Sequence, residues 1–281
     1  MEQMIDIFMD AALDVLKLIP FLFLTYWCME YLEHRASDKM NRVVQRAGRL
    51  GPVAGGLLGI IPQCGFSAAA SNFYAGRIIS LGTLIAIYLS TSDEMLPILL
   101  SEQVSPVLIG KLVGFKALIG IVMGLMIDFL YKGDREHGHI HDICEHEHCG
   151  CEKSILRSAL KHTLQIAGFL FLIGLVLGGV LELAGEEAIA GLILDRPFLG
   201  PVLAGLVGLI PNCASSVVIT KLYLEQALGM GAMLAGLLTN AGVGVLVLFR
   251  VNTHKKENYA ILGLLYGIGV VTGIIVSLVI G

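Results

Sequence analysis

Apolar runs of membrane-crossing length, separated by short polar stretches, fill most of the chain. They cover about 6–30, 50–76, 78–100, 107–131, 162–184, 199–223, 228–249 and 258–280, and a polar insert, Lys132 to Lys161, parts the fourth from the fifth. A hydrocarbon core about 30 Å thick is crossed by about 20 helical residues, so most of these runs predict membrane helices. Two runs differ. Leu50–Gly76 and Leu199–Tyr223 are each split by Pro62-Gln63-Cys64 and Pro211-Asn212-Cys213. Proline removes a ladder hydrogen bond and clashes with the preceding turn. The arm from Gly51 to Ile61 makes only about 17 Å of helix, too little to cross. Both runs therefore predict hairpins that enter the membrane, turn near its middle and leave on the same side.

Composition narrows the class. Of 281 residues, 56% are hydrophobic and 15% charged, with a mean hydropathy of +0.79, against about 25% charged in soluble domains. A net charge of −4 with no separate basic patch excludes a nucleic-acid binder. The 34 glycines suit closely packed or broken membrane helices. The start, Met1-Glu2-Gln3-Met4-Ile5-Asp6, is acidic where a signal peptide is basic, so the first apolar run is expected to be retained as a helix.

The chain also repeats itself. Residues 50–67 match 199–216 without a gap at an offset of 149, with 11 of 18 positions identical. Gly82, Gly114, Gly120 and Gly124 recur at the same offset as Gly231, Gly263, Gly269 and Gly273. Each half holds three full crossings and one hairpin, an odd number of crossings, so the second half is expected upside down relative to the first. The predicted fold is an all-α polytopic membrane protein of two inverted repeats, ten helices if hairpin arms are counted. Repeat one spans 1–133, a loop 134–153, and repeat two 154–281. Basic residues orient it: 14 Lys/Arg, including Arg35, Arg77, Lys132, Arg250 and Lys256, fall on one side, against Arg196 and Lys221 on the other. That side is the cytoplasm, with the central loop inside and both termini outside the bacterial cytoplasmic membrane.

Inverted repeats with broken segments in matching positions point to a secondary transporter, whose site lies where the breaks meet. At the breaks stand Gln63, Cys64 and Ser67, and in the second half Asn212, Cys213, Ser215 and Ser216. Thiols favour soft metals, and by extension trivalent arsenic, whereas amide and hydroxyl oxygens suit harder ions such as manganese. A buried cysteine is otherwise a small hydrophobe, but a repeat-related pair beside amides and hydroxyls reads as a ligand set. Asp93 and Glu94 follow Ser90-Thr91-Ser92 deep in an apolar run, where ionisable residues mark function. The matching stretch carries Thr239 and Asn240. Lys116, central in the fourth run, is their expected charge or coupling partner. Asp6, Asp10 and Asp14 share a helix face and read more simply as a solvated helix end.

The insert concentrates His137, His139, His141, Cys144, His146, His148, Cys149 and Cys151 in 15 residues. This density is a metal-binding composition, though the spacing matches no single closed zinc site. In the cytoplasm its thiols stay reduced.

The twin Gly-Pro-Val…Ile-Pro-[Gln/Asn]-Cys…Ser hairpins and the His/Cys-rich central loop resemble the bacterial ten-helix heavy-metal exporter family, whose members are labelled arsenic efflux proteins or manganese transporters. The resemblance spans essentially the whole chain and implies efflux of a heavy-metal or metalloid ion. It carries over to Pro62, Cys64, Pro211 and Cys213 only. No Gly-x-x-x-x-Gly-Lys-[Ser/Thr] motif is present, so the expected drive is an ion gradient or a partner. The reading is thus a transporter and not an enzyme, with no catalytic cofactor. Its partners are the lipid bilayer and a divalent transition-metal or metalloid cargo, not nucleic acid, and a homo-oligomer is compatible with it. The alternative is a membrane thiol-disulfide electron carrier using Cys64 and Cys213, in which Asp93, Glu94 and the loop have no role. A third reading, a metal sensor that transports nothing, needs the loop and not the hairpins.

Overall fold

Proline, serine and asparagine set the ends of short helices here, and those short helices define the architecture. The structure is a computed structural model describing residues 50–61, 64–92, 95–131, 198–211, 213–224 and 226–280, with scattered helical positions between 8 and 27 and between 160 and 175. Among the described residues there is no strand. Helices with defined bounds form two sets of five. The first set is α1 (Gly51–Leu58), α2 (Cys64–Ala75), α3 (Leu81–Ser90), α4 (Met95–Ser101) and α5 (Pro106–Leu130). The second is α6 (Leu199–Gly208), α7 (Cys213–Leu224), α8 (Met230–Thr239), α9 (Gly244–Val251) and α10 (Lys255–Ile280). From α2 onward, each helix of the second set starts 149 residues after its counterpart, as with 64 and 213 or 106 and 255.

Local chemistry explains the ends. Pro52 and Pro106 stand in the first turns of α1 and α5, where a missing N–H costs nothing. Ser80 caps α3, its Oγ accepting from Thr83 N at 3.1 Å. Arg77 and its repeat partner Gln226 turn the chain from α2 to α3 and from α7 to α8 in the left-handed region, at φ 56° and 61°.

Helix directions follow from contacts. α3 starts beside the C-terminal end of α5, where Asp128 accepts from Ser80 Oγ at 2.6 Å and from Gly82 N at 2.9 Å. α1 runs alongside α3 in the same sense, Gly51 against Thr83 and Gly59 against Ser90. α2 doubles back, so that Tyr74 reaches Glu257 and Arg77 pairs with the same carboxylate. From Glu257, α10 climbs about 30 Å to Ser277, which lies against Gly231 at the start of α8. α3 and α8 therefore enter from opposite ends of the bundle. Close backbone contact holds each against its long neighbour: a Cβ on Gly82 would lie 2.1 Å from the Gly124 carbonyl, and one on Gly231 2.4 Å from that of Gly273. Between the halves, α2 packs on α9 and α7 on α4.

Two runs expected as single crossings, 78–100 and 228–249, are each in two pieces. α3 stops at Ser90 and α4 starts at Met95; α8 stops at Thr239 and α9 starts at Gly244. The backbone leaves the helix at Thr91 (φ −53°, ψ 128°) and Asn240 (φ −80°, ψ 103°). Asn240 Oδ1 takes the Gly242 N–H at 2.7 Å, and Gly242 adopts φ 55°, a turn made by an Asn side chain and a glycine. Each run still travels from one end of the bundle to the other, but breaks in the middle.

This is an integral membrane protein. Among the described residues three stretches, Pro106–Leu130, Met230–Val251 and Lys255–Val279, are long and apolar enough to cross a bilayer. The flanking helices α5 and α10 bear exposed Val107, Phe129, Ile275 and Val279, as lipid contact requires. The broken stretch is mostly buried and runs through the centre. The boundaries at 133/134 and 153/154, residues 132–159 of the insert and the Asp6, Asp10 and Asp14 ladder lie outside the described residues.

Candidate functional site

Helices α1, α3, α6 and α8 end, and α2, α4, α7 and α9 begin, around the middle of the bundle. Carbonyl ends of helices favour positive charge and N–H ends favour negative charge. Helix ends of both signs at this level give the region mixed polarity in an otherwise apolar interior.

Lys116 stands there. It is 1% exposed, and α5 brings its Nζ to the broken ends of both halves. The ammonium donates to the Thr91 carbonyl at the end of α3, and to the Leu237 carbonyl in the last turn of α8 at 2.8 Å. Two carbonyl ends arriving from opposite directions make a place suited to a cation, and a cation fills it.

Beside it is a cavity with room for about one water molecule, lined by Thr91, Ser92, Met95, Lys116, Ser216, Leu237 and Asn240. Asn240 Nδ2 donates to Ser215 Oγ at 3.1 Å, tying the α8 break to the start of α7. Thr239 Oγ1 lies 3.0 Å from the Gly205 carbonyl, binding that break to α6. The lining thus offers hydroxyls, one amide, one thioether and one ammonium.

Of the residues singled out by sequence, Lys116, Ser216 and Asn240 come together at this cavity. Ser67 is fully buried but lies under Gly244 and does not line the cavity. Cys64 and Cys213 begin α2 and α7; their side chains lie outside what the structure describes. Gln63, Asn212, Asp93, Glu94 and the eight His/Cys positions of the insert are also outside the described residues.

The repeat is unequal where it matters. Lys116 corresponds to Leu265, Leu237 to Tyr88, Met95 to Gly244 and Asp93 to Gly242, by the 149-residue offset. Sequence reading missed Met95, Leu237 and a buried link from Tyr88 to Ser71, whose oxygens are 2.7 Å apart. It also missed a polar cluster at one end, where Arg77 grips Glu257 through two hydrogen bonds of 2.9 and 3.0 Å. Its bonds to Glu257 raise the Arg77 guanidinium above its usual range. Comparing the halves position by position would have marked these sites, since Arg77 faces Gln226 and Glu257 faces Leu108 in the alignment.

The sequence model of a family described as “Putative, 10TM heavy-metal exporter” matches residues 1–188. That span takes in the first half, the insert and the fifth apolar run. No curated protein and no solved structure gives a significant match to the chain.

Proposed function

The chain belongs to the ten-helix heavy-metal exporter family, and from that membership we propose that it is a secondary transporter carrying a heavy-metal or metalloid ion, such as manganese or an arsenic species, out across the cytoplasmic membrane. The two halves are inverted repeats, and α1–α2 and α6–α7 are re-entrant hairpins that dip in from opposite faces. The cargo binds between their tips, and movement of one half against the other exposes it first to the cytoplasm, then outside.

One observation carries this reading: the broken helices of both halves converge on a buried polar cavity tied together by Lys116. Non-helical backbone at membrane depth persists where protein or a cavity satisfies it, and such breaks are where transporters bind cargo. Cys64 and Cys213 open the returning arms of the two hairpins, and with Gln63, Asn212 and Ser216 they complete a mixed sulfur and oxygen shell. Asp93 and Glu94, between α3 and α4, supply balancing negative charge for Lys116 and the cargo. The His/Cys loop collects metal at the cytoplasmic face.

The test is metal flux into inside-out vesicles loaded with the purified chain, using manganese, zinc, cadmium and arsenite in turn. Wild type moves at least one of them, and the double variant Cys64→Ser with Cys213→Ser moves none. Undiminished flux in that variant removes the cysteines from the site. A Cys64–Cys213 disulfide that exchanges with a thiol reductant, without flux, would favour the electron-carrier reading.

A further inference from the structure

We infer that the two hairpins have unequal roles: α1–α2 is anchored to the opposite half, and α6–α7 is the gate that moves when the central cavity changes access. This rests on the alternating-access reading above and names its moving part.

Three ties hold α2 to the second half. Gly244 at the start of α9 lets Ser67 sit so near that an added Cβ would lie 2.7 Å from the serine Cβ. One turn on, buried Ser71 Oγ donates to the Gly244 carbonyl at 2.6 Å. Its one proton is shared between that carbonyl and the Ser67 carbonyl of its own helix at 2.7 Å, which leaves the oxygen to accept from the Tyr88 hydroxyl at 2.7 Å. At the helix end, Arg77 and Glu257 make a bidentate pair, which Tyr74 joins through its hydroxyl and Asn252 through Nδ2 at 3.3 Å. Bidentate guanidinium–carboxylate pairs add geometric constraint to their strength.

The positions corresponding to these ties around α7 lack the glycine notch, the tyrosine hydroxyl and the ion pair. Met95 replaces Gly244, so the notch is filled. Leu237 replaces Tyr88 and brings no hydroxyl; Thr220, in the place of Ser71, keeps only the shared bond to the carbonyl four residues back, Ser67 for Ser71 and Ser216 for Thr220, each at 2.7 Å. Gln226 and Leu108 replace Arg77 and Glu257 and form no ion pair. Placement agrees with this difference. α7 contributes Ser216 to the cavity wall, whereas Ser67 of α2 lies under Gly244, so displacement of α7 is what would open the site.

The test begins with hydrogen exchange on the full chain in lipid nanodiscs. Backbone amides of 213–224 should exchange at least about tenfold faster than those of 64–75; equal or reversed protection overturns the inference. A second arm moves the anchor. Gln226→Arg with Leu108→Glu should slow metal efflux about fivefold, while Arg77→Gln with Glu257→Leu leaves it within about twofold. A silent first pair together with a strongly altered second pair also overturns it. Wild-type vesicles that move none of the four metals defeat the transport reading instead, and the exchange comparison then still decides which hairpin is loose.

Discussion

The ammonium of Lys116 donates at 2.8 Å to the carbonyl of Leu237, which belongs to the other half of the repeat. With its bond to Thr91, this makes Lys116 the pin on which two half-helices from opposite ends are aligned. Its repeat partner, Leu265, is equally buried, at 0% exposure, and carries no charge. Hydrogen bonds to charged groups contribute about 1.5–3 kcal/mol each. Lys116→Met keeps the length and removes the charge and both bonds, so it should cost about 3–6 kcal/mol and lower the thermal midpoint in detergent. Leu265→Met, a volume-conserving change, should cost less than about 1.5 kcal/mol. Equal midpoints for the two variants would reject the pin.

Helix contact through bare backbone gives a second prediction. Gly82 and Gly231 press their half-helices onto Gly124 and Gly273, with no room for a methyl group. Gly82→Ala and Gly231→Ala should each destabilise by about 1–3 kcal/mol through overpacking, read as lower folded yield and earlier thermal unfolding. Gly114 and Gly263 are repeat partners with nothing within 4 Å of a built Cβ. Alanine there should be neutral or stabilise by up to about 1 kcal/mol from helix propensity. The contrast within each half separates close packing from a general effect of alanine.

The residues bearing those contacts show what the sequence makes legible. Gly82 and Gly231 stand out because an ungapped offset of 149 survives through both halves, and the structure starts its helices at the same interval. The breaks after Ser90 and Thr239 were not legible as breaks. Hydropathy averages over a window, and Met230–Val251 still passes as one membrane-length stretch although Asn240 and Gly242 part it. A ten-residue half-helix followed by a short one looks the same as a single crossing until hydrogen-bond partners are known. The link between Lys116 and Leu237 was hidden for a related reason: a backbone carbonyl leaves no mark in the residue type. The Arg77–Glu257 pair, 180 positions apart, carried only the weak signal that its counterparts are uncharged.

The loop prediction needs no membrane. A synthetic peptide covering 134–153 holds five of the insert's imidazoles and three thiols, and the proposed collecting role requires it to bind zinc or a similar borderline metal. Calorimetric titration with zinc at neutral pH should give saturable binding. It should weaken on acidification, because protons compete for both ligand types. Deleting 134–153 from the whole chain should raise the metal concentration needed for half-maximal flux and leave the maximal rate within about twofold. If the deletion instead abolishes flux at saturating metal, the loop belongs to the transport path itself.

Asp93 and Glu94 sit between the cavity-lining residues Ser92 and Met95, at positions where the second half has Gly242 and Val243. Carboxylates at such depth are costly to keep, and the unequal repeat points to a use confined to one half. Asp93→Asn and Glu94→Gln preserve shape and remove charge. If the carboxylates serve cargo, at least one variant should fold with a thermal midpoint near wild type and lose metal flux by about tenfold or more, about 1.4 kcal/mol of lost binding or activation. If both merely neutralise Lys116, flux per folded molecule should stay at the wild-type level and only the yield should fall. Combining each change with Lys116→Met decides between these. Recovery of the yield in the double variant marks a charge pair, and persistent loss of flux in well-folded protein marks a cargo ligand.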